Sequence, residues 1–108
     1  MKLSVITVCY NSEKYIDECI NSVNLQTLND VEHIFVDGGS SDKTLEIINK
    51  TSRRNKNLIS EPDSGIYDAM NKGLRNAKGE LICFLNSDDL YASKDVLEIV
   101  YDSFRNTK

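Results

Sequence analysis

Four short hydrophobic runs alternate along the chain with four segments whose apolar residues recur at helical spacing. The runs are residues 3–9, 34–36, 58–59 and 81–85. Their hydrophobicity is continuous rather than alternating, which is typical of strands covered on both faces. The helical stripes are Tyr15, Ile16, Cys19, Ile20 and Val23; Leu45, Ile47 and Ile48; Ile66, Met70, Leu74 and Ala77; and Leu97, Val100, Tyr101 and Phe104.

This alternation of strand and helix predicts βαβ units with right-handed crossovers and therefore a parallel sheet. The predicted fold class is α/β, a Rossmann-like parallel sheet in which four strands alternate with four helices. The expected strand order is 3-2-1-4, with a topological switch point between the first and fourth strands. A chain of 108 residues suffices for one domain of this kind.

Polar residues collect where each predicted strand ends. Residues 10–11 follow the first strand, 37–42 the second, 61–65 the third and 86–89 the fourth. A single acid at a strand end is usually a turn or cap residue. Because the carboxyl ends of parallel strands share one edge of the sheet, however, four such tips together indicate a ligand site there.

The last tip, Asn86-Ser87-Asp88-Asp89, carries two adjacent carboxylates. Neighbouring negative charges repel each other unless a cation compensates them. Oxygen ligands prefer hard cations, so the motif predicts a Mg²⁺ or Mn²⁺ site shared with substrate phosphates. An alternative that the sequence leaves open is an acid pair that caps the following helix.

Charge and loop composition exclude several function classes. The net charge is −4 and basic residues cluster only at 53–54, which argues against a nucleic-acid binder. Residues 10–14 contain no glycine, so neither the dinucleotide fingerprint nor a Walker A loop is present. A nucleotidyltransferase would have a similar sheet and a similar metal site. This function is disfavoured because residues 10–14 do not form the glycine-rich, basic loop that would bind a triphosphate.

The cysteine pattern bears on location. Cys9, Cys19 and Cys83 are odd in number and form no CxxC pair, and two of them lie in apolar runs. We therefore expect reduced, buried thiols and a reducing compartment. This favours a cytoplasmic protein, with peripheral association at the inner membrane left open.

Four stretches carry a family resemblance: residues 4–11, 36–44, 63–73 and 79–89. In order and spacing they resemble the N-terminal, nucleotide-sugar-binding half of inverting family 2 glycosyltransferases of GT-A fold. Residues 61–73 are most similar to members that build bacterial envelope polysaccharides, of the colanic-acid type. The resemblance implies transfer of a hexose from a nucleotide-diphosphate donor, foremost a UDP-sugar, to a glycan or lipid-linked acceptor.

The resemblance also implies residue roles on the base side of the site. Thr7 and Tyr10 are expected to line the base pocket, with Tyr10 packing on the nucleobase. Asp37 is expected to accept a hydrogen bond from the ring N–H of the base, which favours uracil or thymine. Ser41 is expected to lie near the nucleotide in the same loop.

On the diphosphate side, the resemblance places Asp68 and Lys72 in the cleft from the third helix. Asp88 matches the second acid of the family's Asp-x-Asp motif and is the expected direct ligand of Mn²⁺ or Mg²⁺. Asp89 follows it near the sugar. Asn86 replaces the first acid, which is expected to weaken ribose or metal contacts from that position.

Family members are considerably longer than residues 1–108, and their catalytic base and acceptor-binding segment normally lie beyond the Asp-x-Asp strand. We therefore expect this chain to be a donor-binding portion that does not transfer sugar efficiently alone. An exposed sheet edge near the fourth strand makes self-association plausible. The alternative function is a non-catalytic nucleotide-binding module of the same fold.

Overall fold

A computed structural model describes residues 1–107 and shows the predicted α/β architecture. The elements in chain order are β1 Leu3–Cys9, α1 Ile16–Asn24, β2 Val31–Asp37, α2 Thr44–Thr51, β3 Asn55–Ser60, α3 Ile66–Asn76, β4 Leu81–Phe84 and α4 Val96–Asn106. The strands form one sheet in the order β3-β2-β1-β4, and every neighbouring pair is parallel. The predicted strand order and switch point are confirmed.

The register aligns the carboxyl ends of the two central strands. β1 pairs with β2 from Leu3↔Val31 to Cys9↔Asp37. β4 is shorter than predicted, since its pairing with β1 ends at Ile6↔Phe84. The Leu85 N–H still donates to the Ile6 carbonyl at 2.9 Å, so the chain leaves the sheet only after that residue.

The two faces of the sheet are covered unequally. On one face, strand residues such as Val5 and Phe35 pack in two clusters with buried residues of α1, α2 and α4. On the other face, Ile6, Ile34 and Val36 pack with Ala69 of α3. One face of the sheet is therefore covered by three helices and the other by one helix. Strand β4 lies at an edge of the sheet.

All three thiols are free, as the sequence predicts; Cys9 and Cys19 are buried, but Cys83, which was expected to be buried, is only half-buried. Burial raises the pKa of the Cys19 thiol to about 11, which keeps it protonated at neutral pH. Among residues 1–107, no helix combines the length and the apolar character that a membrane-spanning segment needs.

Candidate functional site

A cleft opens at the carboxyl edge of the sheet, beside the switch point between β1 and β4. Its volume is about 390 Å³. The residues that line it are Val8, Asn11, Ser12, Tyr15, Ile66, Asn86, Ser87 and Asp88. The structure thus brings the tip of β1 and the tip of β4 together, as expected for strands that end at one edge.

The loops after β1 and β2 are joined by Asn11. This residue adopts a left-handed backbone, φ 48°, a conformation that asparagine tolerates better than most residues. Its side-chain Oδ1 accepts the N–H groups of Ser41 at 2.9 Å and Asp42 at 3.3 Å. The Asn11 N–H donates to the Ser40 hydroxyl at 2.8 Å. Ser41 is held through its backbone and its side chain is exposed, but it does not belong to the set that lines the cleft.

Asp37 ends β2 but is fully buried. Its carboxylate accepts the N–H groups of Gly39 at 3.0 Å and Ser40 at 2.8 Å, and the Ser60 hydroxyl at 2.9 Å. The Ser40 hydroxyl at 2.5 Å and the Cys9 thiol at 3.7 Å complete the set. These donors occupy the roughly four lone-pair positions of a carboxylate. The predicted bond to a base N–H would thus require one of these partners to leave.

Thr7 is likewise fully buried and does not reach the cleft. Its hydroxyl lies 2.7 Å from Nε2 of His33, which is also fully buried. Burial lowers the pKa of His33 to about 3, because the interior disfavours the charged imidazolium. The expectation that Thr7 lines the base pocket is not met in this structure, in which Thr7 supports β2 from within the core.

Tyr10, in contrast, is 61% exposed and lies beside the glycine that follows β2. A Cβ built on Gly38 would lie 3.4 Å from Cδ1 of Tyr10 and 3.0 Å from Oδ2 of Asp63. Glycine at this position therefore lets the aromatic ring and the carboxylate approach from opposite loops. Asp63, at the tip of β3, was not among the predicted site residues, although its place at a strand end was a usable signal.

Asp68 and Lys72 hold the loop between β3 and α3. The Ser64 N–H donates to Oδ2 of Asp68 at 2.9 Å, and Nζ of Lys72 lies 3.5 Å from the same oxygen. The Ser64 N–H, and secondarily Lys72, lower the pKa of Asp68. Lys72 also donates to the Pro62 carbonyl at 3.2 Å. Neither predicted residue belongs to the set that lines the cleft between β1 and β4.

Residues 86–89 form a turn closed by the Asp89 N–H, which donates to the Asn86 carbonyl at 3.0 Å. Asn86, Asp88 and Asp89 are exposed, while Ser87 is half-buried. Within residues 1–107, no three His, Cys, Asp or Glu side chains are grouped to hold a metal ion. An exposed all-oxygen donor set of this kind still fits a cation bound by one or two carboxylates and by phosphate oxygens.

Comparison with known proteins gives a consistent assignment. The sequence profile described as Glycosyl transferase family 2 matches residues 4–108. An uncharacterised glycosyltransferase of Mycobacterium tuberculosis is 38% identical over 96 residues, and the hyaluronan synthase of Pasteurella multocida is 37% identical over 108. These alignments cover 88% and 98% of this chain, but only 37% and 11% of the two relatives.

Solved structures agree. The Staphylococcus aureus TarS fragment 1–349, solved in complex with UDP-GlcNAc, superposes with a TM-score of 0.87 at 33% identity. The superposition covers 98% of this chain and 32% of the TarS chain. A Pyrobaculum calidifontis mannosyltransferase, solved with GDP-Man and Mn²⁺, superposes with a TM-score of 0.80 at 26% identity. This superposition covers 89% of this chain and 30% of the mannosyltransferase chain. With its matched profile, its relatives and its GT-A sheet, the chain belongs to glycosyl transferase family 2.

Proposed function

We propose that the chain binds a nucleotide-sugar, foremost a UDP-sugar, and forms the donor-binding half of a glycosyltransferase. The observation that carries the proposal is the cleft at the switch point, which Asn11, Asn86 and Asp88 line together. Tyr10, which directly precedes Asn11 in the same loop, has an exposed aromatic ring. The TarS structure, solved with UDP-GlcNAc and similar over nearly the whole chain, supports uracil as the base.

Different residues serve the two ends of the ligand. Tyr10 offers an aromatic surface to the base, and the loop that begins at Gly38 forms the floor beside it. Asp88 is the proposed ligand of Mg²⁺ or Mn²⁺, with Asn86 and Asp89 as neighbouring oxygen donors. A bound divalent cation supplies charge neutralisation for the diphosphate leaving group. Asp88 and its neighbours therefore orient that group in the cleft.

Transfer itself is proposed for a longer protein. Inversion at the sugar needs a carboxylate base that deprotonates the acceptor hydroxyl. We place this base, and the site for a glycan or lipid-linked acceptor, in the parts of the relatives that this chain does not match. A role in bacterial envelope polysaccharide synthesis, and a cytoplasmic location, rest on the similarity of residues 61–73 and on the reduced thiols.

Calorimetry with UDP, GDP and dTDP, each with and without Mn²⁺, tests the proposal. We expect UDP to bind, and Mn²⁺ to tighten its binding by at least about tenfold through the diphosphate, or roughly 1.4 kcal/mol. The variant Asp88→Asn is expected to lose the effect of Mn²⁺. The variant Asp102→Asn, which changes an exposed acid of α4, serves as the matched control. If no nucleotide binds in the presence of Mn²⁺, the proposal is wrong.

A further inference from the structure

Ser12 occupies the junction of three loops at the site, although its side chain lies outside every predicted role. It is only 9% exposed. Its carbonyl accepts the N–H groups of Tyr15 and Ile16, each at 3.0 Å, and so begins α1. Its own N–H donates to Oγ1 of Thr44 at 2.7 Å. The backbone of Ser12 therefore fixes the loop after β1 against the first residue of α2.

The contact with Thr44 is buried. Thr44 is fully buried, and its hydroxyl donates its single proton to Oδ1 of Asp42 at 2.6 Å. The oxygen of that hydroxyl is then free to accept the Ser12 N–H. The second Asp42 oxygen accepts the Glu13 N–H at 3.2 Å. The loops after β1 and β2 thus form one hydrogen-bonded unit.

The side chain of Ser12 connects this unit to the turn that carries Asp88. Its Oγ lies 3.0 Å from Oγ of Ser87 and 3.3 Å from the Tyr10 carbonyl. If Ser12 donates to Tyr10, Ser87 donates to Ser12, and both bonds are made at once. Within residues 1–107, no other side-chain hydrogen bond joins residues 86–89 to the loops after β1 and β2. The neighbours Asn86 and Asp88 are exposed, so Ser87 is the anchored member of the turn.

We propose that Ser12 and Ser87 are a positioning pair that sets the distance between the base-binding loop of Tyr10 and the metal-binding turn of Asp88. The inference rests on the proposed function, since a nucleoside diphosphate must contact both ends at once. Neither hydroxyl needs to touch the ligand. A turn held in the bound arrangement spares the ligand the cost of ordering it, which is the usual benefit of preorganisation.

The test compares UDP with uridine. Uridine contacts only the base-binding side, whereas UDP in Mn²⁺ also contacts the turn. We expect Ser87→Ala to weaken UDP binding in Mn²⁺ by about fivefold, the effect of one net hydrogen bond, and Ser12→Ala to weaken it by at least as much. In Ser87→Ala, uridine affinity is expected to change by less than about twofold. Among the described residues, Ser87→Ala removes the shared bond alone, whereas Ser12→Ala also removes the bonds of its hydroxyl to the Tyr10 backbone. The double variant is therefore expected to lose about as much as Ser12→Ala alone.

Ser93→Ala is the matched control, since among residues 1–107 the one hydrogen bond of that exposed hydroxyl is to Asp95. Thermal melts of every variant show whether it is folded. Three results would each overturn the inference: unchanged UDP affinity in folded Ser12→Ala and Ser87→Ala, equal losses for UDP and uridine in Ser87→Ala, or a loss in the double variant that equals the sum of the two single losses. If the unmodified chain binds no UDP, the proposed function fails and the inference fails with it.

Discussion

His33 makes a strong prediction about pH, because it is the single histidine of the chain. It lies in the middle of β2, fully buried, with its ring centroid 3.9 Å from that of Phe35. Nε2 bonds the Thr7 hydroxyl, and Nδ1 has no hydrogen-bond partner among the described residues. Burial of the ring disfavours the charged imidazolium, which lowers the pKa of His33.

The magnitude follows from the two protonation equilibria. The folded pKa of His33 is about 3, whereas histidine in an unfolded chain titrates near 6.5. Between these values the unfolded state binds a proton that the folded state excludes. Stability is therefore complete above about pH 6.5 and falls as pH falls, by up to about 1.4 kcal/mol per pH unit. At about pH 5, the free energy of unfolding should be about 2 kcal/mol lower than at neutral pH.

Urea denaturation at several values between about pH 7.5 and about pH 5 measures this slope, above the range in which most carboxylates titrate. His33→Gln is the control, because its amide retains a partner for Thr7 but does not titrate. The difference in unfolding free energy between the variant and the unmodified chain should shrink as pH falls. A stability that is the same at both ends of the range, or an equal slope in His33→Gln, would refute the reasoning.

Three further predictions concern stability and assembly. Gly79→Ala should lower the free energy of unfolding in urea by roughly 1–3 kcal/mol, because its Cβ would lie 2.5 Å from the backbone nitrogen of Ser4. Asp37→Ala should lower the melting temperature clearly, since it removes a fully buried acceptor on which several N–H and O–H donors converge, whereas Asp88→Ala should change the free energy of unfolding by less than about 0.5 kcal/mol. β4 is an edge strand with Phe84 43% exposed, so light scattering should show concentration-dependent self-association that Phe84→Lys reduces, and a strict monomer contradicts this.

The architecture was predictable because it depends on periodicity. Continuous hydrophobic runs separated by helical stripes allow few arrangements once crossovers are right-handed. The width of each buried stripe was less predictable. Leu97 and Tyr101 of α4 are buried, but Val100 in the same predicted stripe is 38% exposed. Periodicity shows which side of a helix is apolar, but not how far the neighbouring edge of the sheet extends beneath it.

Thr7 illustrates a limit at the site. Alternate residues of a strand share a face, so Thr7 lies on the same side of β1 as Val5 and Cys9. Both neighbours belong to core clusters that α1 helps to cover. Burial of Thr7 was therefore open to prediction from the strand pattern alone. Its partner, His33, was not, because the pairing depends on the register between β1 and β2.

Asp37 and Asp88 show why strand-end acids cannot be ranked from their position alone. Both follow apolar strands, but only Asp37 is followed by a short loop of glycine and serine that turns back and donates to it. Small, flexible residues just after an acid supply N–H and O–H donors, so that acid tends to organise its own loop. Asp88 is followed by Asp89 and Leu90, whose side chains offer no donors, and it stays exposed. Of these two acids, Asp88 is therefore the one whose charge is available to a ligand, which is why the cation dependence of binding is assigned to Asp88.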